Sequence, residues 1–229
     1  MERASGNRVA AAVLAAGLSR RMGTAKALLP IGDRPLIVHV VQSLINSQRV
    51  ERVYVITGHA AARVSDELSG FDVTILHNAQ YAGGEMLSSV QVAVAGARNE
   101  HNALLLSAVD QPMVSPHTIA GLIDAWHEHQ PRIAQPSYRG RRGHPILLDL
   151  CGAEEILALP RDAALRDYTR AHREQTLQLD VDDSAILEDL DTPHDYVRAM
   201  QQWVAQQRSA LCQPETAKSP VSSDELVRL

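Results

Sequence analysis

Short apolar runs alternate with amphipathic segments along most of this chain. The runs expected to form buried strands are residues 9–14, 52–57, 73–76, 103–108, 133–135, 144–148 and 176–179. Segments with helical periodicity lie between them, at residues 36–47, 59–68, 87–97, 116–129, 153–159, 163–172 and 193–206. Strands that alternate with helices in this way are typical of a parallel sheet with helices on both faces. The pattern predicts an α/β fold, a three-layer Rossmann-like sandwich with a mostly parallel central sheet.

The periodic pattern extends over residues 8–210, which we interpret as a single domain. A chain of 229 residues is long enough to bury a sizeable core. Residues 211–229 are polar and show neither helical nor strand periodicity. Such a segment cannot bury enough apolar surface to fold by itself, so it is predicted to be a polar C-terminal tail.

Composition and charge narrow the class of protein. Hydrophobic residues make up 45% of the chain and aromatic residues only 3%, so the core is expected to be aliphatic. The 22 basic and 27 acidic side chains give a formal net charge of −5, which argues against a nucleic-acid partner. No apolar run approaches the roughly 20 residues that cross a bilayer, and the start of the chain lacks a signal-peptide core. Cys151 and Cys212 form no C-x-x-C motif, so we expect a reduced, cytoplasmic protein without a zinc site.

The first strand and the loop after it carry the strongest chemical signal. Residues 9–16 are apolar without interruption, which is typical of a parallel strand covered on both faces, and Gly17 ends the run. The loop then carries three cations and a second glycine, namely Arg20, Arg21, Gly23 and Lys26. Backbone N–H groups and side-chain charges in such a loop can surround a polyphosphate. We interpret it as a loop for the triphosphate of an NTP, with a basic surface turn as the alternative.

Two better-known phosphate loops are excluded by the order of residues. The dinucleotide fingerprint needs G-x-G-x-x-G, whereas Gly17 and Gly23 stand alone. A Walker loop needs G-K-[ST], whereas Lys26 lies between two alanines.

Four segments in order resemble the MobA-like nucleotidyltransferases, and within them the molybdenum cofactor cytidylyltransferases. They are LAAGLSRRMGTAKALLPIGDRPLI (residues 14–37), SAVDQPMVSP (107–116), RRGHPILL (141–148) and EDLDTPHDY (188–196). The resemblance spans most of residues 8–200. It implies the fold of the nucleotide-diphospho-sugar transferases and transfer of CMP from CTP to a molybdopterin-type cofactor phosphate.

Asp110 follows the apolar run 103–108 and precedes Gln111-Pro112. It should therefore lie where a central strand ends, in the crevice that binds ligands in open α/β sheets. The resemblance implies that Asp110 is a Mg²⁺ ligand, since this cation needs only one or two carboxylates besides substrate phosphates. A turn or cap residue is the alternative.

Asp191 is the predicted second metal ligand, in a segment where Thr192 can cap the helix that Pro193 opens. Asp189 stays open as the alternative, because Asp189 and Asp191 point the same way in an extended segment.

The acceptor side is predicted at His144 and Arg142. The resemblance places His144 there, either hydrogen-bonded to the acceptor or orienting a catalytic carboxylate. Arg141 and Arg142 precede it and either meet an acceptor phosphate or are solvated.

Residues 78–89, NAQYAGGEMLSS, resemble a family segment that links a strand to a helix and lines the nucleotide and acceptor pockets. Glu85 departs from the family pattern by separating Gly84 from Met86. Ser88 is also a plausible helix cap. The predicted nucleotide-binding residues are Leu14, Ala15, Ala16, Gly17, Arg21, Gly23, Lys26, Asn78 and Ser88.

The implied chemistry needs no general base, because a phosphate monoester with a second pKa of about 6 is largely dianionic near neutrality. The resemblance assigns catalytic roles to Arg21 on the triphosphate, to Lys26 near the reacting centre, and to Asp110. Related guanylyltransferases have Gly where this chain has Ala16, and the extra methyl favours CTP. A molybdenum hydroxylase is the expected recipient of the product.

Three alternatives stay open. They are guanylyl or other nucleotidyl transfer to a different phosphorylated acceptor, a Rossmann-type oxidoreductase, and a non-catalytic cofactor-escort protein. The missing G-x-G-x-x-G argues against the second, and the intact Lys26, Asp110 and Asp191 argue against the third.

Overall fold

The computed structural model describes residues 8–17, 24–83 and 86–211, with backbone alone from 206 onward. The strands are β1 (Val9–Ala15), β2 (Pro30–Ile31), β3 (Arg34–Pro35), β4 (Arg52–Thr57), β5 (Val73–His77), β6 (Ala103–Ala108), β7 (Ile133–Tyr138), β8 (Arg141–Arg142), β9 (Ile146–Asp149) and β10 (Thr176–Asp180). The helices are α1 (Leu36–Asn46), α2 (Ala61–Glu67), α3 (Met86–Ala97), α4 (Pro116–His129), α5 (Ala153–Leu157), α6 (Leu165–Ala171) and α7 (Pro193–Leu211).

Strand β1 lies inside the sheet, between β6 and β4, and is covered on both faces. Its odd-numbered residues pack in one hydrophobic cluster, together with α1, α2, α4 and α7. Ala10 and Ala12 pack in a second cluster on the other face, together with α3, α5 and α6. Burial on both faces explains why the β1 sequence is apolar without alternation. The predicted three-layer α/β class is confirmed.

The strand order of the main sheet is β10-β7-β9-β6-β1-β4-β5, and β8 pairs with β7. The pairs β1–β4, β1–β6, β4–β5 and β7–β10 are parallel. Strand β9 runs antiparallel to both of its neighbours, β6 and β7. The sheet is therefore mostly parallel, as predicted, and the carboxyl ends of β1, β4, β5 and β6 meet at one edge, which is where ligands bind in folds of this class.

Strand β9 begins at Ile146 rather than at the predicted residue 144. The backbone N–H of His144 donates to the carbonyl of Ile186 at 3.0 Å, which lies outside the sheet. Pro145 has no N–H to give to a strand partner. His144 therefore lies in a loop that packs on the 3₁₀ turn Ser184–Leu187.

Two short features were not predicted, the β2–β3 hairpin and β8. Each of these strands has two residues, which is too short to show a periodicity. Helix α7 packs on the hairpin, where Tyr196 donates a hydrogen bond to the Pro30 carbonyl. It ends at Leu211, one residue inside the predicted tail, and residues 212–229 lie outside the described part of the chain. Among the helices of the described residues, none has the length and apolar character needed to span a bilayer.

Candidate active site

A cleft opens at the carboxyl edge of the sheet, between the ends of β1, β5 and β6. Seven of the predicted site residues line this cleft: Leu14, Ala15, Ala16, Gly17, Lys26, Asn78 and Asp110. Tyr81, Met86 and Ser89 line it as well. Ser88 lines a neighbouring depression with Gln91 and Arg161 instead. Most of the predicted nucleotide-binding residues that the structure describes are therefore brought together at one place. Arg21 and Gly23 lie outside the described residues.

Lys26 connects the two predicted carboxylates. Its Nζ donates to Asp110 Oδ2 at 2.9 Å and to Asp191 Oδ1 at 2.8 Å. Lys26 and Asp110 line the cleft, whereas Asp191 lies beside it. The Lys26 side chain is 14% exposed and that of Asp191 is 49% exposed. Burial by itself lowers the pKa of Lys26, but the hydrogen bonds and charges of Asp191 and Asp110 outweigh it, and the net pKa is raised. Lys26 is therefore a fixed cation at neutral pH.

The position of Asp191 is set by contacts between two loops. The backbone N–H of Leu190 donates to the carbonyl of Asp110 at 3.0 Å. The buried Gln111 donates from Nε2 to Asp189 Oδ1 at 2.7 Å. Asp110 and Asp191 consequently reach the same ammonium group from loops that are bonded to each other.

The carbonyl of Ile186 ties a third loop to this arrangement. It accepts from the His144 N–H at 3.0 Å and from Gln111 Nε2 at 3.4 Å. Gly143 approaches the same carbonyl so closely that a Cβ there would collide with Ile186. The glycine before His144 is thus explained by close packing of the two loops.

His144 and Asp189 lie close enough to influence each other's charge. Burial lowers the pKa of His144, although the charges of Asp189 and Asp110 act in the opposite direction. Partial burial of the carboxyl group and the charge of Asp110 raise the pKa of Asp189, against the hydrogen bond from Gln111. His144 is therefore expected to be neutral at pH 7.

Arg142 lies on β8 and is exposed. With the Gln178 amide oriented to satisfy its neighbours, the Gln178 oxygen accepts from Arg142 Nη2 at 2.8 Å and from Nε at 3.1 Å. The structure thus places Arg142 against β10, and its predicted role on the acceptor side stays a prediction.

Asn78 fixes the junction between β5 and α3. It is buried, and its Nδ2 donates to Ser88 Oγ at 2.9 Å and to Ser89 Oγ at 3.0 Å. Its Oδ1 accepts from the backbone N–H of Gln80 at 2.9 Å. Asn78 thereby holds the first turn of α3 against the cleft, which is a structural reason for an Asn and two Ser residues at this spacing.

Gly58, which follows β4, packs closely against the carbonyl of Ala16 and the side chain of Tyr81. A Cβ on Gly58 would lie 2.5 Å from Ala16 O and 2.6 Å from Tyr81 Cβ, so only glycine fits there. Ala16 itself is 4% exposed at the cleft wall. Tyr81 belongs to the segment 78–89 that the sequence predicted to line the pockets. Sequence reasoning missed Gly58 and Gln111 as parts of the site, because their contacts are made between distant segments.

Among the described residues, no group of three or more His, Cys, Asp or Glu side chains could hold a metal ion, so a metal at this site would take its other ligands from the substrate or water. Two carboxylate oxygens that bond to one ammonium nitrogen lie within reach of a single cation. Oxygen donors of this kind suit a hard divalent ion.

The model of the MobA-like NTP transferase domain matches residues 11–176, and the chain belongs to this family. The family membership predicted from the sequence is confirmed, and the protein is a nucleotidyltransferase of the MobA-like family.

Individual relatives are moderately similar. The molybdenum cofactor cytidylyltransferase of Escherichia coli (strain K12) is 27% identical over 192 residues, covering 83% of this chain and 95% of that protein. The nicotine blue oxidoreductase of Paenarthrobacter nicotinovorans is 28% identical over 204 residues, covering 84% and 96%. The crystal structure of Rv0371C from Mycobacterium tuberculosis H37Rv in complex with manganese matches with a TM-score of 0.70 and 25% identity, covering 86% of this chain and 100% of that one.

Proposed function

We propose that the protein transfers CMP from CTP to the phosphate of a molybdopterin-type cofactor, forming molybdopterin cytosine dinucleotide and pyrophosphate. The observation that carries the proposal is that Lys26 Nζ, which lies in the cleft, bonds to both Asp110 and Asp191. An ammonium group that can bind phosphate oxygens and two carboxylates that can bind a metal therefore lie next to each other. Similarity to the E. coli cytidylyltransferase supports CTP and molybdopterin as the substrates.

Mg²⁺ is the proposed metal, held by Asp110 and Asp191 together with oxygens of the triphosphate. Two carboxylates fit this ion, because Mg²⁺ keeps several waters and takes its remaining ligands from substrate phosphates. When bound, Mg²⁺ would neutralise negative charge on the phosphate groups. The manganese complex of the mycobacterial relative supports the use of a divalent ion by this protein.

The reaction is an in-line displacement at the α-phosphorus of CTP. An oxygen of the acceptor phosphate forms a bond to this phosphorus, and the bond to the β-phosphate oxygen breaks with its electron pair, so that pyrophosphate leaves. The acceptor is already largely dianionic, since its second pKa is about 6, and no proton has to be removed. Lys26 stabilises the charge on the oxygens of the α-phosphate, and its raised pKa keeps it protonated.

The acceptor is proposed to enter from the side of His144 and Arg142. His144, neutral because of its burial, can donate or accept one hydrogen bond. The methyl of Ala16 is proposed to limit the space for a purine and so to favour CTP over GTP. A molybdenum hydroxylase is the proposed recipient of the product.

Incubation with Mg²⁺, molybdopterin and each NTP in turn tests the proposal, with the product identified by mass. The expected result is a cytosine dinucleotide and equimolar pyrophosphate from CTP. A guanine product would support guanylyl transfer, and nucleotide binding without turnover would support an escort protein. A parallel nicotinamide-cofactor binding assay tests the oxidoreductase alternative, which the name of the Paenarthrobacter relative also raises.

A further inference from the structure

We propose that Gln111 is a positioning residue for the metal-binding carboxylates, and that Asp189 is its anchor rather than a ligand of the metal. The inference rests on the proposed function, because it assigns roles within the same metal site. It concerns the question that the sequence left open, which of the two aspartates in the segment 189–191 faces the metal.

The side-chain amide of Gln111 makes its hydrogen bonds within the protein. It is 4% exposed, and its Nε2 donates to Asp189 Oδ1 at 2.7 Å and to Ile186 O at 3.4 Å. A glutamine amide nitrogen carries two hydrogens, and both are directed at residues 186–189. The side chain therefore has no amide hydrogen left to donate to a substrate.

Asp110 and Gln111 are consecutive, and both bond to the segment that carries Asp191. Asp110 accepts from the Leu190 N–H at 3.0 Å, while the Gln111 side chain binds Asp189. The segment is thus held on either side of Leu190, whose own side chain is buried. These bonds fix the distance between the Asp110 and Asp191 carboxylates.

The two aspartates of the segment have different partners. Asp191 Oδ1 accepts from Lys26 Nζ, which also binds Asp110. One oxygen of Asp189 accepts from the buried amide of Gln111. We therefore assign the metal contact to Asp191 and the structural contact to Asp189. Residues that orient metal ligands in this way typically change metal affinity 10–100-fold when they are replaced.

The test is the affinity of the free protein for Mn²⁺ alone, measured by electron paramagnetic resonance on the parent and on single and double variants of the full chain. Gln111→Met removes the donor at similar size, and Asp189→Ala removes the acceptor. Each is expected to weaken Mn²⁺ binding by about 10–100-fold. The double variant is expected to be no weaker than either single one, because both changes break the same contact. Asp189→Asn keeps an acceptor oxygen for Gln111 and should stay within about threefold of the parent.

An equal loss in Asp189→Asn and Asp191→Asn would overturn the assignment, since it would make Asp189 a ligand. Unchanged affinity in Gln111→Met would overturn the positioning role. Asp182→Asn, at an exposed aspartate of the preceding loop, controls for the loss of one negative charge. Thermal unfolding of every variant checks the fold, and Asp189→Ala tests the contact even if Gln111→Met does not fold, because Asp189 is exposed.

Pyrophosphate release measured on the same samples separates the two claims. If Gln111→Met still releases pyrophosphate and its Mn²⁺ affinity is unchanged, the result supports the proposed function and contradicts the inference. Mn²⁺ binding that depends on Gln111, without nucleotidyl transfer from any NTP, would remove the proposed function and support the inference. A parent protein that binds no Mn²⁺ would overturn the inference.

Discussion

Lys26 Nζ lies 2.8 Å from Asp191 Oδ1, although 165 positions separate the two residues in the sequence. The same ammonium group lies 2.9 Å from Asp110 Oδ2. The contact joins the loop after β1 to the residues before α7. Because three distant segments supply the three charges, the site exists only in the folded protein.

Asp110→Asn is expected to lower nucleotidyl transfer by at least 100-fold, because a carboxylate charge is lost beside the transferring phosphoryl group. Asp191→Asn should have a smaller effect, since Asp191 is 49% exposed and an amide oxygen can still coordinate a hard cation. The rate of pyrophosphate release at saturating Mg²⁺ measures the activity of both variants. Asp124→Asn, on the surface of α4, is the matched control. Activity of Asp110→Asn within about threefold of the parent would contradict the metal-ligand role.

Lys26→Ala is expected to lower kcat by on the order of 100-fold, in the range found when one electrostatic stabiliser of a transition state is removed. The KM for CTP should change less, because the charge at the α-phosphate grows during the reaction. Steady-state kinetics separate the two constants. The exposed Arg34, replaced by Ala, controls for the loss of one positive charge. Equal losses in kcat and CTP affinity would make Lys26 a ground-state binding residue.

Ala16→Gly is expected to relax the selection for CTP over GTP. Ala16 lines the cleft and is 4% exposed, so removing its methyl makes room at the wall where the base is proposed to lie. One methyl in a specificity pocket contributes about 1–3 kcal/mol, and we expect the CTP:GTP ratio of kcat/KM to fall roughly tenfold. An unchanged ratio would place base selection elsewhere, for example in residues 78–89. A parent that prefers GTP would contradict cytidylyl transfer itself.

The sequence predicted most of the fold because the elements carry local signals. Strands β4 and β6 and helix α4 have the predicted bounds, and each is a strongly periodic or uniformly apolar segment. The antiparallel direction of β9 could not be read from its four residues, since strand direction depends on how the chain returns to the sheet. The start of β9 was misplaced because His144 bonds to Ile186, a contact with no local signature.

The candidate site was predictable only in part. Lys26, Asp110 and Asp191 were each singled out through motifs, but their bonding to one another joins segments far apart in sequence. Gln111 was missed because a glutamine after a strand-end aspartate has no distinctive pattern. Its role depends on Asp189, 78 positions away.

Gly143→Ala is expected to destabilise the protein by about 1–3 kcal/mol, the usual cost of forcing extra atoms into a packed region. The added Cβ would collide with the Ile186 backbone, which cannot move aside as a flexible side chain can. Chemical unfolding monitored by circular dichroism measures the change. Gly70→Ala is the matched control, because a Cβ there meets nothing within 4 Å. Equal stability of the two variants would contradict the packing.

Stability is expected to fall as the pH drops below about 6.5, the ordinary pKa of histidine. Burial lowers the pKa of His101 despite the Ala97 carbonyl and the charge of Glu51, so the unfolded chain takes up this proton at a higher pH than the folded protein. The unfolded state then binds more protons, and the free energy of unfolding decreases with decreasing pH. The pKa of His144 is also lowered by burial, so protonation of His144 likewise decreases the free energy of unfolding at low pH.

Replacing His101 with Leu isolates its share of this pH dependence. Urea unfolding at pH 7.5 and 5.5 should show a smaller loss for His101→Leu than for the parent, because one titrating group is gone and a buried ring nitrogen, Nε2, is removed with it. An identical loss in both proteins would show that His101 is not responsible.

The fate of radioactive phosphorus from labelled CTP tests the central claim most directly. With Mg²⁺ and molybdopterin, label from [α-³²P]CTP should appear in the molybdopterin product, whereas label from [γ-³²P]CTP should appear only in pyrophosphate. Asp110→Asn and Lys26→Ala should lose both signals, while Asp124→Asn keeps them. Transfer of the γ-label to the acceptor, or no movement of either label by the parent protein, would contradict nucleotidyl transfer at this site.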